Sequence, residues 1–181
     1  MAKLVSKTYG DALFAVACEE NRIDEFFEAA ACVTDILRMN EAFGSLMNHP
    51  KIGKEEKIKI VEETFEKTIP KEIIGLMTLL IKKGHAKEME SVFDYFIYLV
   101  KEEKKIGSAS VTTAVELSEE QKTKVEQKLL ETTSYEQFEM HYEVDASLIG
   151  GMVIRIGNRI VDSSIKTKLY ELSKDLKKIQ L

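Results

Sequence analysis

Long apolar runs are absent from this 181-residue chain, and no hydrophobic stretch approaches the ~20 residues that a membrane-spanning helix needs. The residues after Met1 lack a signal-peptide core and are not rich in arginine and serine, so we expect a cytoplasmic chain or one matured elsewhere. Basic residues are not in excess, because the formal net charge is −5. An acidic chain with interspersed charges argues against a general nucleic-acid-binding surface.

Cysteine and histidine are scarce. The two cysteines, Cys18 and Cys32, are interpreted as reduced, small, buried side chains. The three histidines, His49, His85 and His141, lie far apart and have no metal-ligand spacing. The sequence therefore predicts no metal site and no cofactor.

Helical periodicity dominates the chain from residue 4 to about 105, with short breaks. We predict six helices, over 4 to about 20, 23 to 37, 41 to 47, from about 54, 71 to 83, and about 86 to 104. Asn40 is a candidate cap for the third, Pro70 suits the first turn of the fifth, and Gly84 suits its C-terminal cap. Six helices with short connections predict an all-α bundle.

The predicted fifth helix is apolar around most of its circumference. Its apolar residues are Ile73, Ile74, Leu76, Met77, Leu79, Leu80 and Ile81. An amphipathic surface helix needs only one apolar stripe. Two interpretations remain open: a central helix enclosed by its neighbours, or a helix with one face in the core and another in a groove for a partner helix.

Composition shifts after the charged run 101–105, and we place a domain boundary there, which gives domains 1–105 and 106–181. The second domain reads as a small α+β fold. Its predicted elements are a strand at 110–115, a helix opened by a capping box at Ser118 and Gln121, strands at 138–144 and 152–156, a turn at Gly157-Asn158, a returning strand at 159–162 and a last helix from 165. The chain as a whole is thus predicted to have two domains, an all-α six-helix bundle and a small α+β domain.

The last helix carries an apolar stripe at spacings of four and three residues. Its members are Ile165, Leu169, Leu172, Leu176 and Ile179. Two explanations remain open for this stripe. The helix covers the small sheet with it, or it pairs through it with a partner helix, as heptad spacing allows.

Two features of the second domain invite a chemical interpretation. Gly150-Gly151 follows a turn, but a strand and not a helix comes next, so a phosphate-binding loop is disfavoured. Asp145 and Asp162 flank the hairpin, yet no nucleophile, histidine base or metal ligand is grouped with them. We therefore expect the two glycines to permit a tight turn and the two carboxylates to form turns or caps. We expect no catalytic residue.

A specific resemblance covers this same stretch. The matching residues are Val144-Asp145-x-Ser147-Leu148-Ile149-Gly150-Gly151-x-x-Ile154-Arg155-x-Gly157, followed by Ile160-Val161-Asp162-x-Ser164. This pattern resembles the signature of the delta subunit of rotary F-type ATP synthases, whose mitochondrial counterpart is the oligomycin-sensitivity-conferring protein. Asp145, Gly150, Gly151, Gly157, Asp162 and Ser164 are the signature residues to which we assign structural roles. The length and layout of the whole chain fit the same family.

The resemblance implies a non-catalytic stator that joins the catalytic head to the peripheral stalk, so that proton-driven rotation is coupled to ATP synthesis. It implies one copy per complex, monomeric alone, at the cytoplasmic face of the cell membrane and bound to the membrane only through the complex. Its implied partners are the alpha subunit, whose N-terminal segment enters a groove between the first and fifth helices, and the b-type stalk subunits at the second domain. Carried over by position, the groove residues are Tyr9, Ala12, Leu13 and Val16 facing Leu76, Leu79 and Leu80.

This chain departs from the family pattern at two positions. The family usually has alanine where Gly10 stands, so we expect either a late start of the first helix or a close contact there. It usually has glycine at the position of Ser163, where we expect a change of local turn geometry. The alternative functions are an RNA-binding helical regulator, disfavoured by the acidic charge, and a small enzyme, for which no convergent polar site is found.

Overall fold

The computed structural model describes residues 2–49, 51–157 and 159–179. The chain divides into two compact units, Met1–Lys101 and Glu102–Leu181. The first is helical, and the second combines helices with a small four-stranded sheet. Within the described ranges, no helix is both long enough and apolar enough to cross a membrane.

Among the described residues, six α-helices precede the first strand. They are α1 (Ala2–Glu19), α2 (Ile23–Met39), α3 (Glu41–Asn48), α4 (Lys54–Phe65), α5 (Lys71–Lys83) and α6 (Met89–Glu103), with a 3-10 turn at Ala86–Glu88 before α6. Local signals set several of the ends. Asn40 accepts a hydrogen bond from the backbone N–H of Phe43 at 3.1 Å and so caps α3. Gly84 closes α5 in the left-handed conformation, with φ of +81°.

Aromatic and branched side chains from all six helices fill the core of the first unit. The largest fully buried ones include Phe26 of α2, Phe65 of α4, and Phe93 and Phe96 of α6. Burying a side chain of this size stabilises a fold by about 1.5–3 kcal/mol. The core therefore supplies most of the favourable free energy of this unit.

The second unit is built on a four-stranded sheet. Its strands are β1 (Ile106–Thr113), β2 (Gln137–Val144), β3 (Met152–Ile156) and β4 (Arg159–Asp162), in the spatial order β2-β1-β3-β4. β1 and β2 pair in parallel, with α7 (Glu119–Thr132) as the crossover, whereas β3 pairs antiparallel with both β1 and β4. The last helix is α8 (Ile165–Ile179).

Residues of α7 and the sheet form the small core of this unit. Ala109, Leu129 and Phe138 are buried there, and Val125 of α7 and Ile154 of β3 pack against them. The predicted capping box is present, since Ser118 Oγ accepts from Gln121 N–H while Gln121 Oε1 accepts from Ser118 N–H.

Several sequence expectations need correction. The first strand begins at Ile106 and not at Ser110, and the sixth helical segment opens as a 3-10 turn. Pro70 precedes the first turn of α5 at the N-cap position. Cys18 and Cys32 are free thiols, as expected, but both are half-buried. The predicted turn residue Asn158 and the side chain of Ile179 lie outside the described residues.

Gly10 marks a close contact and not a late helix start. Helix α1 begins at Ala2, eight residues earlier, and Gly10 is buried within it. A Cβ placed on Gly10 would lie 2.5 Å from Cδ1 of Tyr95 on α6. Glycine is therefore present because α6 approaches α1 more closely than a side chain at residue 10 allows.

Candidate partner-binding surfaces

Helices α1 and α5 run side by side in opposite directions. At one end, the Arg22 guanidinium just after α1 lies 3.2 Å from the Glu72 carboxylate in the first turn of α5. At the other end, the rings of Tyr9 in α1 and His85 just after α5 are 6.3 Å apart, centroid to centroid. We call the exposed seam between the two helices the α1/α5 surface, formed by Tyr9, Ala12, Val16, Leu76 and Leu79.

The seven residues predicted for the partner groove fall into three groups. Ala12, Val16 and Leu79 are exposed, and Tyr9 and Leu76 are half-buried at the seam. Leu13 and Leu80 are instead buried in the core of the first unit. As core residues, Leu13 and Leu80 stabilise the two helices and cannot contact a partner.

The apolar circumference of α5 thus serves two purposes. Ile73, Met77 and Leu80 are fully buried, whereas 41% of the Leu79 surface is exposed. Gly75, one turn before Leu79, is also exposed, and no described atom would lie within 4 Å of a Cβ placed there. The sequence analysis gave Gly75 no role, yet a glycine on the outward face of an apolar helix is a signal for close approach by a partner.

Arg22 forms ion pairs with the carboxylates at the Glu72 end of this surface. Its guanidinium donates to the carboxylates of Glu25 and Glu20 at 2.7–2.8 Å, besides Glu72. The bond to Glu25, followed by that to Glu20, raises the pKa of Arg22 above its usual range, and Arg22 in turn lowers the pKa of Glu25. The cluster keeps three carboxylates beside one cation, so this end is negative.

Several signature residues of the second unit lie around the start of α8. Gly151 has φ of +75°, and a Cβ on it would overlap the Ser163 carbonyl oxygen. Gly150 leaves room for the Ile165 side chain, and its carbonyl accepts from Ile165 N–H at 2.9 Å. Ser163, where the family usually has glycine, donates through its hydroxyl to the Met152 carbonyl at 2.9 Å.

Asp145 and Asp162 are turn and cap residues. Asp162 accepts from Ser164 N–H at 2.8 Å and from the Thr167 hydroxyl at 2.7 Å, and Asp145 accepts from Ser147 N–H at 2.9 Å. The backbone hydrogen bond from Ser164 lowers the pKa of Asp162, and that from Ser147 lowers the pKa of Asp145. Both carboxylates are thus held ionised by local donors, and neither faces a second catalytic group in the described structure. Buried Ser164 accepts from Thr167 N–H and caps α8. The third signature glycine, Gly157, has the positive φ, +52°, of a turn residue.

Helix α8 does not cover the sheet, because α7 does so. The side chains of Ile165, Leu169, Leu172 and Leu176 are between 42% and 64% exposed. Of the two explanations left open for this stripe, the sheet-covering one is wrong for this structure. An exposed apolar stripe of this length is typical of a helix that meets a partner.

Ile149 is an exposed apolar residue whose role the sequence analysis missed. It is 63% exposed and has a positive φ of +67°, which is rare for a β-branched residue. It lies within the turn that contacts the start of α8, where Lys166 Nζ donates to Ser147 Oγ at 3.1 Å. The available signal was an isoleucine placed directly before two turn glycines.

Comparison with known proteins decides the family. The family model described as ATP synthase delta (OSCP) subunit matches residues 5–176. The chain belongs to this family. It is 51% identical over its full length, and the full length of the relative, to ATP synthase subunit delta of Lachnoclostridium phytofermentans. It is 31% identical to the Brevibacillus brevis subunit, covering 93% of this chain and 96% of that one.

A solved structure supports the fold. A chain of the cryo-EM structure of the Toxoplasma gondii mitochondrial ATP synthase hexamer superposes with a TM-score of 0.78, covering 94% of this chain and 96% of that chain at 19% identity. As a member of the ATP synthase delta (OSCP) family, the chain is a stator subunit that connects the catalytic head to the peripheral stalk. The comparisons give no support to the RNA-binding alternative.

The described residues hold no group of three or more histidine, cysteine, aspartate or glutamate side chains that could bind a metal ion. The two exposed apolar surfaces, one on each unit, are the features that fit a connector.

Proposed function

We propose that the α1/α5 surface binds the N-terminal segment of an alpha subunit as an amphipathic helix. The observation that carries this proposal is the exposure of Leu79, an apolar residue of a largely buried helix, at 41%, together with that of Val16 of α1 at 37%. A helix that lays its apolar face along such a seam covers both residues and the half-buried Tyr9 and Leu76. Gly75 lets its backbone come close.

The affinity comes from burial and not from chemistry. Each Å² of apolar surface removed from water contributes about 25 cal/mol, before the entropy of ordering the segment is subtracted. The central residues of the surface are uncharged, so the partner meets no buried unpaired charge there. Leu13 and Leu80, one from each helix, are buried in the core of the same unit.

We further propose that α8 and the neighbouring turn bind the b-type subunits of the peripheral stalk. The exposed stripe Ile165, Leu169, Leu172 and Leu176 has the spacing with which one helix packs along another. Ile149 adds an apolar contact at the start of this stripe. Its backbone strain supports a binding role, because such strain is concentrated at functional sites.

In this proposal the six-helix unit holds the head and the sheet-containing unit holds the stalk, with one copy of the chain in each complex. The subunit performs no reaction itself. It lies at the cytoplasmic face of the membrane through the complex to which it is bound. Its mechanical role is to resist the torque that would otherwise turn the head with the rotor.

Calorimetric titration of the full chain with a synthetic peptide of the first ~20 residues of the cognate alpha subunit tests the first contact; a peptide of that length spans ~30 Å when helical. Saturable 1:1 binding is expected, and absence of binding to a folded chain would refute the assignment to this surface. A soluble b-subunit segment, titrated separately, tests the second contact. If one titration is negative, binding in the other shows that the protein is folded.

A further inference from the structure

We propose that Lys57 of α4 acts as the C-terminal cap of α3, and that its charge keeps α3 closed on the first unit. Without this charge, α3 opens locally while the other helices of the unit remain folded. This role lies within the first unit and does not depend on either of the proposed partner contacts.

Lys57 occupies a position that disfavours a cation in two ways. It is 9% exposed and is the only charged residue that is buried among the described residues. It shares the inward face of α4 with Val61 and Phe65, where an apolar residue is expected. It also lies in the first turn of α4, near the positive end of the helix dipole. A compensating contact must therefore stabilise the ammonium group.

The compensating contact is with the end of α3. Lys57 Nζ donates to the Met47 carbonyl oxygen at 2.7 Å and to the His49 carbonyl oxygen at 2.9 Å. Met47 is in the last turn of α3, and His49 is the first residue after the helix. A cation is favourable at the negative end of a helix dipole, and hydrogen bonds from an ammonium are stronger than those between neutral groups. Lys57 thus supplies donors that the end of α3 needs.

The sequence of α3 does not close the helix by itself. The helix has eight residues, with Gly44 inside it and no basic residue in its last turn. His49 follows in an extended conformation, with φ of −70° and ψ of +124°, and not in the left-handed conformation with which Gly84 closes α5. A helix of two turns is too short to be stable alone. The stability of α3 therefore comes from contacts with other elements.

Two contacts from α4 keep α3 in place. Besides the bonds of Lys57, the ring of Phe65 meets that of Phe43 edge-on, with the centroids 5.9 Å apart. Phe43 and Met47 are buried, so closed α3 adds apolar surface to the core. The ring contact resists opening, but it supplies no donor to the Met47 carbonyl, whose bond to Lys57 is buried. A buried acceptor that has lost its donor costs free energy until water reaches it, so removal of the charge favours the open state.

Native-state hydrogen exchange of the Lys57→Met variant of the full chain tests this cap. Methionine keeps most of the length and the apolar stem of lysine and removes the charge. We expect the protection factors of the amides from Gly44 to His49 to fall by roughly 10- to 100-fold, the range for hydrogen bonds from a charged group. Those of α6 should not change. Lys59→Met, exposed on α4 two residues later, is the matched control.

Unchanged protection of α3 in the Lys57→Met variant would overturn the inference. An equal loss of protection in α6, or a variant that circular dichroism shows to be unfolded, would also contradict it. Lys57 would then support the whole unit and not the end of one helix. Low protection of α3 in the unaltered chain counts against the inference as well, since a capped and closed helix is protected from exchange.

Lys54 in the same turn of α4 gives a second control. Its ammonium donates to the Lys82 carbonyl in the last turn of α5 at 2.7 Å. Lys54→Met therefore removes the same charge from the same turn without removing a bond to α3, and the protection of α3 should stay as it is in the unaltered chain. A fall as large as that in the Lys57 variant would mean that the net charge of the turn matters and not the bonds of Lys57.

A chemical rescue separates charge from size. Lys57→Cys is made in a chain in which Cys18 and Cys32 are replaced by serine, and the single thiol is alkylated in urea before refolding. Bromoethylamine produces a thioether that carries an ammonium at nearly the length of lysine, whereas iodoacetamide produces a neutral amide. The ammonium product should restore the protection of α3 to within about threefold of that in the serine-substituted chain with Lys57, and the amide product should not. Equal protection in the two products would show that side-chain size closes α3, which is the result that rejects a role for the charge.

Discussion

Gly10 of α1 and Tyr95 of α6 are in direct contact, because a Cβ at residue 10 would lie 2.5 Å from Tyr95 Cδ1. The Tyr95 hydroxyl then reaches the Asp11 carboxylate, to which it donates at 3.2 Å. Burial of this tyrosine raises its pKa, and the bond to Asp11 adds to the shift. The missing side chain at residue 10 therefore sets how closely α1 packs on α6.

The first prediction follows from this contact. Gly10→Ala should destabilise the first unit by about 1–2 kcal/mol, because overpacking costs about 1–3 kcal/mol while the gain in helix propensity is about 1 kcal/mol. Urea denaturation followed by circular dichroism measures the change. In a Tyr95→Ala background the same substitution should stabilise by about 1 kcal/mol. If Gly10→Ala alone stabilised the unit, this would show that α1 and α6 can move apart at little energetic cost.

Neighbouring leucines of α5 give the second prediction. Leu79→Asp should remove binding of the alpha-subunit peptide and leave the unit folded at a cost of about 1–2 kcal/mol, since 41% of Leu79 is exposed. Leu80→Asp should unfold the first unit, because Leu80 is fully buried. Calorimetric titration and circular dichroism distinguish the two outcomes. Met39→Asp, at an 85% exposed position on α2, is the control for adding one charge.

The third prediction compares two glycines of the second unit that share a positive φ. Gly151→Ala combines backbone strain with overlap of the Ser163 carbonyl, so it should destabilise the unit by more than about 2 kcal/mol. Gly157→Ala brings strain alone, since no described atom lies within 4 Å of the added Cβ, and should cost about 1–2 kcal/mol. Amide hydrogen exchange of β3 in the full chain measures both. Equal losses would mean that the overlap is relieved by movement.

The fourth prediction concerns pH. The pKa values of Asp145 and Asp162 are lowered in the folded protein by donors from Ser147 and Ser164. Their stabilising effect is therefore complete above the unfolded pKa of about 3.9 and is lost as the pH falls through the lower folded values. The hydrogen-exchange protection factors of the β3 amides, which are corrected for the slower intrinsic exchange at acid pH, should fall below about pH 4. The double variant Asp145→Asn/Asp162→Asn should be less stable at neutral pH, and its stability should depend less on pH. Glu120→Gln is the control for the loss of a negative charge.

The fifth prediction tests the stalk-binding surface at Ile149. Ile149→Asn should stabilise the second unit by about 0.5–1 kcal/mol, because asparagine tolerates a positive φ far better than isoleucine. The same substitution should weaken binding of a soluble b-subunit segment, since it removes an exposed apolar contact. Val115→Asn, at a position that is 71% exposed outside this turn, should leave binding unchanged. Unaltered affinity of the Ile149 variant would remove this residue from the interface.

Helix ends were predictable because their causes are local. Gly84 closes α5 and Ser118 with Gln121 opens α7 through backbone groups within four residues of one another. The β3–β4 hairpin was predictable for the same reason, since two β-branched runs flank Gly157. Such signals act over a few residues, so a single sequence contains all the information they need.

The apolar pattern itself did not reveal which apolar residues face outward. Leu79 and Leu80 are adjacent and chemically identical, yet one is exposed and the other is fully buried. Likewise the α8 stripe has the periodicity of a core-covering helix, but α7 occupies the sheet face that α8 would need. Periodicity specifies that a face is apolar, and the competition among helices for one core determines whether that face is buried.

By itself, the sequence determined the family, the order of the elements and the local turns of the signature, because each depends on residue identities at short spacing. The tertiary structure alone decided that Gly10 accommodates Tyr95, that Leu13 and Leu80 belong to the core, and that Leu79, Ile149 and the α8 stripe remain exposed. Those facts depend on the distance between elements far apart in the chain, which is set by the packing of all of them together.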